Sequence, residues 1–277
     1  MNMNNLKKPI SFALAVLTVG AAQVQAQTAV FSDDFSTGNA ADNGYYRFGT
    51  AGTTLNTDNT SGTLDYTYSV DAANRSGVIK QFTNTTLALG ETLIFAFTID
   101  GRTFRDDENN SFRWSIGNIG TAINGDLTSA EPFSSGTRRN YVFAAATGVA
   151  ATAFNHHSAG FASPVNGGTT TDLTGLSASS FDANSVDSFS IMVSFTRTAT
   201  GVDIEKDFGG TVSYGSFATS TAADFDFNTL AFSMNNAGDY TLAVSDVSVS
   251  VIPEPSTYGM IGGVLVLGLA LLHRRRK

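Results

Sequence analysis

Residues 188–198 read Ser-Phe-Ser-Ile-Met-Val-Ser-Phe-Thr-Arg-Thr. Phe189, Ile191, Val193 and Phe195 fall on alternate positions, with Ser190, Ser194 and Thr196 between them. A period of two is that of a half-buried β-strand, because successive side chains leave a pleated strand on opposite faces. The same alternation runs through residues 91–100, where Leu93, Phe95, Phe97 and Ile99 share one face. Strands are further predicted at 64–70, 77–83, 111–117, 141–146, 202–208, 211–217, 229–234 and 240–251. Clusters of Gly, Asn, Asp, Ser and Thr separate them as turns, and no helical stripe interrupts them. The glycines in Thr198–Ile204 and Asp207–Tyr214 are placed for tight hairpin connections. Ten to twelve short strands in one domain predict an all-β fold, an antiparallel two-sheet β-sandwich of the jelly-roll type. Polar, Gly-rich stretches at 36–62, 118–140 and 147–187 are predicted as rim loops, where sites tend to sit.

The two ends of the chain are compositionally different. Near the start, Lys7 and Lys8 precede an apolar stretch from Ile10 to Ala22, and Val24-Gln25-Ala26 fits a small-x-small cleavage rule. Residues 1–26 are therefore expected to be a signal peptide, with Gln27 as the mature N-terminus. Near the other end, Pro253-Glu254-Pro255-Ser256 is followed by an uncharged apolar run, 258–272, and then by His273, Arg274, Arg275, Arg276 and Lys277. A fifteen-residue helix reaches ~22 Å, short of a ~30 Å hydrocarbon core, but the flanking arginine stems can snorkel to lengthen the span. A cationic cluster beside an apolar helix holds that end in the cytoplasm. Residues 252–277 are thus expected to form a single-pass anchor with a cytoplasmic tail, and residues 27–251 an exported domain.

These last residues resemble a PEP-CTERM sorting signal, which has the same three parts in the same order, with Ile252 where valine is usual. The resemblance covers about the last 26 residues. It implies processing by an exosortase at the inner membrane and delivery to the cell surface or extracellular matrix of a Gram-negative, exopolysaccharide-producing bacterium. It implies nothing about the domain delivered.

Six of the sixteen Lys and Arg lie in residues 1–26 and 256–277 and none of the 24 acids do, so residues 27–255 carry ten cations against 24 acids, a net −14. That charge argues against nucleic acid and anionic lipid surfaces as partners and makes divalent cations reasonable company. The chain has no cysteine. Disulfides, thiolate catalysis and cysteine-held metals are excluded, and stability must come from the core.

The segment 186–250 and the opening Val30–Thr37 also resemble, in rhythm, the concanavalin-like jelly rolls of lectins, glucanases and laminin-G domains. Laminarinase-type glucanases of that group carry acids at alternate positions of one strand, two glutamates flanking an aspartate. Here Asp203, Glu205 and Asp207 alternate with the letters reversed, so the glutamate pair is missing. Val202, Ile204 and Phe208 need the buried side, which sends the three acids to solvent; no catalytic residue is assigned.

Asp106, Asp107, Glu108, Asn109 and Asn110 form an oxygen-rich turn of the kind that suits Ca²⁺, as do Asp33, Asp34, Asp42 and Asn43, although solvated turns are the better account of both. His156 and His157 are adjacent, so on a strand they would diverge. Most of the 21 Phe, and Trp114 between Phe112 and Ile116, fall at inward positions. Tyr45 and Tyr46, beside a polar loop, are the candidate sugar contacts. The expectation is a non-enzymatic surface or matrix protein associated with extracellular polysaccharide. The alternatives are a glycoside hydrolase of the laminarinase-like jelly-roll type, and a purely structural or adhesive matrix component.

Overall fold

A computed structural model describes residues 27–49, 55–58, 62–68, 76–103, 111–127, 139–147, 155–157, 170–173, 175–177, 180–181, 187–235 and 240–254. Sixteen strands occupy them: β1 (Thr28–Asp33), β2 (Tyr45–Phe48), β3 (Leu55–Asp58), β4 (Leu64–Tyr68), β5 (Ser76–Thr86), β6 (Thr92–Thr103), β7 (Ser111–Asn118), β8 (Arg139–Thr147), β9 (Asn155–His157), β10 (Thr170–Asp172), β11 (Ser180–Phe181), β12 (Phe189–Arg197), β13 (Gly201–Phe208), β14 (Thr211–Ala218), β15 (Asp226–Asn235) and β16 (Tyr240–Ile252). One 3₁₀ turn, Ala222–Phe225, precedes β15.

Two eight-stranded sheets pack face to face. The first runs β14-β13-β12-β6-β16-β4-β3, with β1 also on β16; the second runs β10-β9-β8-β7-β15-β5-β2, with β11 also on β8. Between consecutive strands the chain passes from one sheet to the other at β1–β2, β2–β3, β4–β5, β5–β6, β6–β7, β11–β12, β14–β15 and β15–β16. The predicted sandwich is therefore present, with more strands than expected. β2, β3, β9, β10 and β11 are two to four residues long and lie within the stretches expected to be loops. All pairings between these strands are antiparallel except β11 with β8.

Alternation sorts the residues as expected. Phe95, Phe97, Ile191, Val193 and Phe195 point between the sheets and are buried. They meet Phe112, Trp114, Phe143 and Phe232 from the opposite sheet in one continuous core. Rings dominate the contact: Trp114 lies 5.5 Å from Phe112, 5.9 Å from Phe143, 5.8 Å from Phe208 and 6.1 Å from Phe97, centroid to centroid. These separations are those of offset-stacked and edge-to-face pairs. Between β13 and β14, Gly209 and Gly210 take φ of 56° and 87°. Two successive positive φ values define the two-residue turn whose twist matches a hairpin, and glycine adopts them without a Cβ penalty.

The outer faces differ. Over the second sheet, Ile119, Ile123 and Leu127 fold onto Phe48, Ile79 and Ala231 as a separate small cluster. That segment is pinned by Leu127 N–H to Arg47 O (2.7 Å) and by an Arg47–Asp126 ion pair in which Asp126 also accepts from Arg47 N–H (2.9 Å). The outer face of the first sheet is instead composed of half-exposed and exposed side chains along β6, β12, β13 and β14.

Candidate functional site

The register across the first sheet builds its outer face in rows. Tyr214 lies beside Glu205, Glu205 beside Ser194, and Ser194 beside Ile94. In the next row Ser216, Asp203, Thr196 and Thr92 are neighbours, and in the row on the other side Val212, Asp207, Met192 and Ala96. Side-by-side strands are ~4.8 Å apart and same-face residues along a strand ~6.7 Å apart, so this is a dense grid, polar in its first two rows except at Ile94 and mostly apolar in the third. Thr92 and Thr196 hydrogen-bond through their hydroxyls at 2.8 Å.

A groove of about 630 Å³ follows the grid, lined by Ser194, Thr196, Asp203, Glu205, Tyr214 and Ser216. Tyr214 is 66% exposed, an aromatic ring standing free on a strand whose neighbouring outward residues are Val212 and Ser216. The sequence expectation for Asp203, Glu205 and Asp207 is met in geometry: Asp203 is exposed and the other two half-exposed, all on the face opposite Val202, Ile204 and Phe208. Asp207 also serves the hairpin, its Oδ1 accepting from Gly210 N–H at 2.8 Å. Tyr214 was not among the sequence candidates. Its signal was the outward set Val212, Tyr214, Ser216 in register with the acids, visible only once β13 and β14 are paired.

Lys206 shares the inward face and is 1% exposed. Its Nζ donates to Ser177 O, tying the segment Gly175–Ser177 to the sheet. Gly175, at φ 92°, lines the groove and backs onto Tyr214 O so closely that a Cβ there would sit 2.7 Å away. Burial pulls the Lys206 ammonium down from its ordinary 10.5 to about 8. A lysine depressed in the fold makes the unfolded chain the better proton binder between those two values, so stability rises with pH from about 8 toward 10.5. The slope from this group is at most about 1.4 kcal/mol per pH unit. Burial together with Asp33 lifts the Tyr45 phenol, and burial together with Asp224 lifts that of Tyr141, well above 10, which reverses the trend above pH 10. Denaturant midpoints of wild type and Lys206→Met between pH 8 and 10 are expected to diverge, the variant showing the flatter slope; equal slopes would contradict this.

The other sequence candidates fall differently. Tyr45 is corrected: it is 2% exposed, its ring 5.3 Å from Phe35, because β2 turns this residue of the Tyr45-Tyr46 pair into the core. Tyr46 faces the other way and is half-buried against the small cluster over the second sheet. Asp33, Asp34 and Asp42 line a second cleft of about 760 Å³ together with Asn43, Lys80 and Asp246. Their oxygens serve the local turns: Asp33 accepts from Phe35 N–H (2.9 Å), Asp34 from Ser36 N–H (3.0 Å) and Asp42 from the Asn39 amide (2.6 Å). Lys80 sits among them, over the Phe31 and Tyr45 rings at 5.1 and 5.5 Å. Burial raises the Asp33 carboxyl and lowers the Lys80 ammonium, their mutual attraction opposing both shifts.

His156 and His157 lie on β9. Asp106, Asp107, Glu108 and Asn109, the Ca²⁺ candidates, lie outside the described residues, as do Pro255, Ser256, the run 258–272 and Arg274, Arg275, Arg276 and Lys277. Among the described residues no three His, Asp or Glu side chains group as a metal site, and no helix is long and apolar enough to cross a membrane.

No protein-family model matches the chain, and no curated protein matches it in sequence. Among solved structures it is similar to peanut lectin bound to a nine-residue peptide, with 10% identity and a TM-score of 0.47, over 82% of this chain and 99% of that one. It is also similar to a galectin-like protein of unknown function from Bacillus subtilis, with 7% identity and a TM-score of 0.46, over 83% and 99%. A third is the CBM2 module of the evolved Dit of Lactobacillus casei BL23 phage J-1, with 11% identity and a TM-score of 0.47, over 82% and 96%.

Proposed function

We propose that this chain is an exported, non-catalytic carbohydrate-binding β-sandwich, and that its site is the groove on the outer face of β12, β13 and β14. The observation that carries this is Tyr214, 66% exposed beside Glu205 in an open polar groove. A free aromatic face takes the apolar face of a sugar ring, while the Ser194, Thr196 and Ser216 hydroxyls donate to and accept from its hydroxyls and two carboxylates accept from them. Tyr214→Ala should weaken binding on a panel of extracellular polysaccharides by about tenfold or more, since removing a stacking aromatic typically costs above 1.4 kcal/mol. Unchanged affinity in that variant overturns the assignment.

The acids lining the groove favour one competing reading, hydrolysis. Adjacent same-face carboxylates stand ~6.7 Å apart by strand rise, within the range of a glycosidase pair. A general acid needs its pKa raised by burial or a close partner, and Asp203 is exposed while Asp207 is committed to the hairpin turn. Wild-type protein is therefore expected to release no reducing ends from β-glucans; activity that disappears in Glu205→Gln would replace binding by catalysis.

Residues 252–277 complete the proposal as a PEP-CTERM-like sorting tail read by an exosortase, holding the domain at the inner membrane before release to the surface or matrix. β16 ends at Ile252, so the sandwich hands over directly to Pro253 and Glu254, and the Glu254 side chain lies against Gly90 in the β5–β6 turn. Exported protein should begin at Gln27, and changing Arg274, Arg275 and Arg276 to glutamate should displace the C-terminus from the cytoplasm. A C-terminal reporter that stays cytoplasmic in that variant would remove the topological argument.

A further inference from the structure

We infer that the groove selects a cationic glycan, a polysaccharide carrying free amino groups; the inference rests on the groove reading above and narrows it to a ligand class. Asp203 and Glu205 line the groove, and Asp207 continues their stripe one row further along the same face. No basic side chain is among the described lining residues. The strand's own cation, Lys206, projects through the other face and is spent on Ser177 O. The surrounding domain, at net −14, adds an attractive field for cations and a repulsive one for anions.

Three ligand classes can be compared on that basis. A uronate or sulfated chain would bring its charges against fixed carboxylates ~6.7 Å apart, with no cation among the described lining residues to receive them. A neutral chain would donate hydroxyls to the carboxylates but leave both charges uncompensated as water is displaced. A protonated amine both donates to a carboxylate and neutralises it, so its N⁺–H···O⁻ contact carries a Coulomb attraction that a hydroxyl's O–H···O⁻ contact lacks. Tyr214, next to Glu205, adds a ring face that attracts both an ammonium and the C–H face of a sugar. The hydroxyl rows formed by Ser194, Thr196 and Ser216 suit a polyhydroxylated chain rather than a bare polycation.

The test is calorimetric titration of the full chain with glucosamine oligomers, their N-acetylated equivalents, oligouronates and oligolysine of matched length. The amino form is expected to bind about tenfold tighter than the N-acetylated form, one bond's worth of charge assistance, with oligouronate and oligolysine far weaker. Asp203→Asn with Glu205→Gln should erase the preference, and Tyr214→Ala should weaken both sugar forms. Asp34→Asn with Asp42→Asn, in the other acidic cleft, should leave the ratio unchanged. If the double groove variant folds poorly, Asp203→Asn alone serves, since Asp203 is exposed. Equal or tighter binding of N-acetylated oligomers, still lost in Tyr214→Ala, would overturn the cationic class and leave the groove reading standing. Oligolysine binding as tightly as the amino sugar, or a ratio lowered equally by the distant control, would overturn it as bulk charge attraction. Sugar binding indifferent to Tyr214 would remove both readings.

Discussion

Replacing Trp114 with alanine is expected to cost about 3–5 kcal/mol, the range for deleting a large buried aromatic. The indole is fully buried at the meeting point of the two sheets and contacts Phe97 and Phe208 from the first sheet, and Phe112 and Phe143 from its own. Four rings lose a partner at once, and residues held in strands cannot move in to refill the space. With no cysteine to brace the chain, such a loss is a large share of the 5–15 kcal/mol that holds a domain together. Trp114→Phe should cost much less, because it keeps most of the ring contacts and removes an indole N–H that has no acceptor among the described residues. Denaturant unfolding of both variants checks this. A Trp114→Ala loss below about 1.5 kcal/mol would mean that the two sheets are not joined through this residue.

Gly77→Ala is the second large effect, and it arises from close approach of the backbone. Gly77 lies between β15 and β2, paired with Ser233 on one side and Phe48 on the other. A Cβ there would stand 2.0 Å from Phe232 O and 2.8 Å from Ser233 Cα. Both obstacles are backbone atoms of a strand held on two sides, so neither can swing away as a flexible side chain would. Overpacking costs about 1–3 kcal/mol in a side-chain core and more where the main chain must move, so a loss of 3 kcal/mol or failure to fold is expected. Gly101→Ala is the matched control, because a Cβ there meets nothing within 4 Å. Equal thermal midpoints for the two variants would contradict the β5–β15 approach.

The core was legible because its signal is repetition. Phe95, Phe97, Ile191, Val193 and Phe195 recur at every second position over long strands, and burial follows that alternation. Strands of two to four residues such as β2, β9 and β11 contain too few alternations to stand out from polar loops, and only pairing with longer neighbours holds them. Tyr45 and Tyr46 show the limit at a single site. Adjacent strand residues must face opposite ways, but which one faces inward depends on Phe35 arriving from another segment. The outward direction of Asp203, Glu205 and Asp207 follows from their own strand. That Tyr214, Ser194 and Ser216 stand next to them follows from register across three strands, which no local pattern contains. Lys206 runs against its local pattern, a lysine among Val202, Ile204 and Phe208 whose ammonium donates to Ser177 O, far away in sequence.

The two sheets also divide the labour. The second carries a covering segment, 119–127, over its outer face, whereas the first presents Val212 and Tyr214 at 44% and 66% exposure to solvent. On the proposed reading, the Tyr214 ring, exposed while 37 hydrophobic residues of the described chain are buried, is what makes this face a contact surface.

Hydrogen–deuterium exchange of the full chain with and without saturating oligosaccharide tests that most directly, because it maps contact without presuming which residue matters. New protection is predicted along 194–196, 203–205 and 214–216, with the second cleft at 31–43 and 246–248 unchanged. Protection confined to that second cleft, or to the outer face of β5, β7 and β15, would contradict a site on β12, β13 and β14.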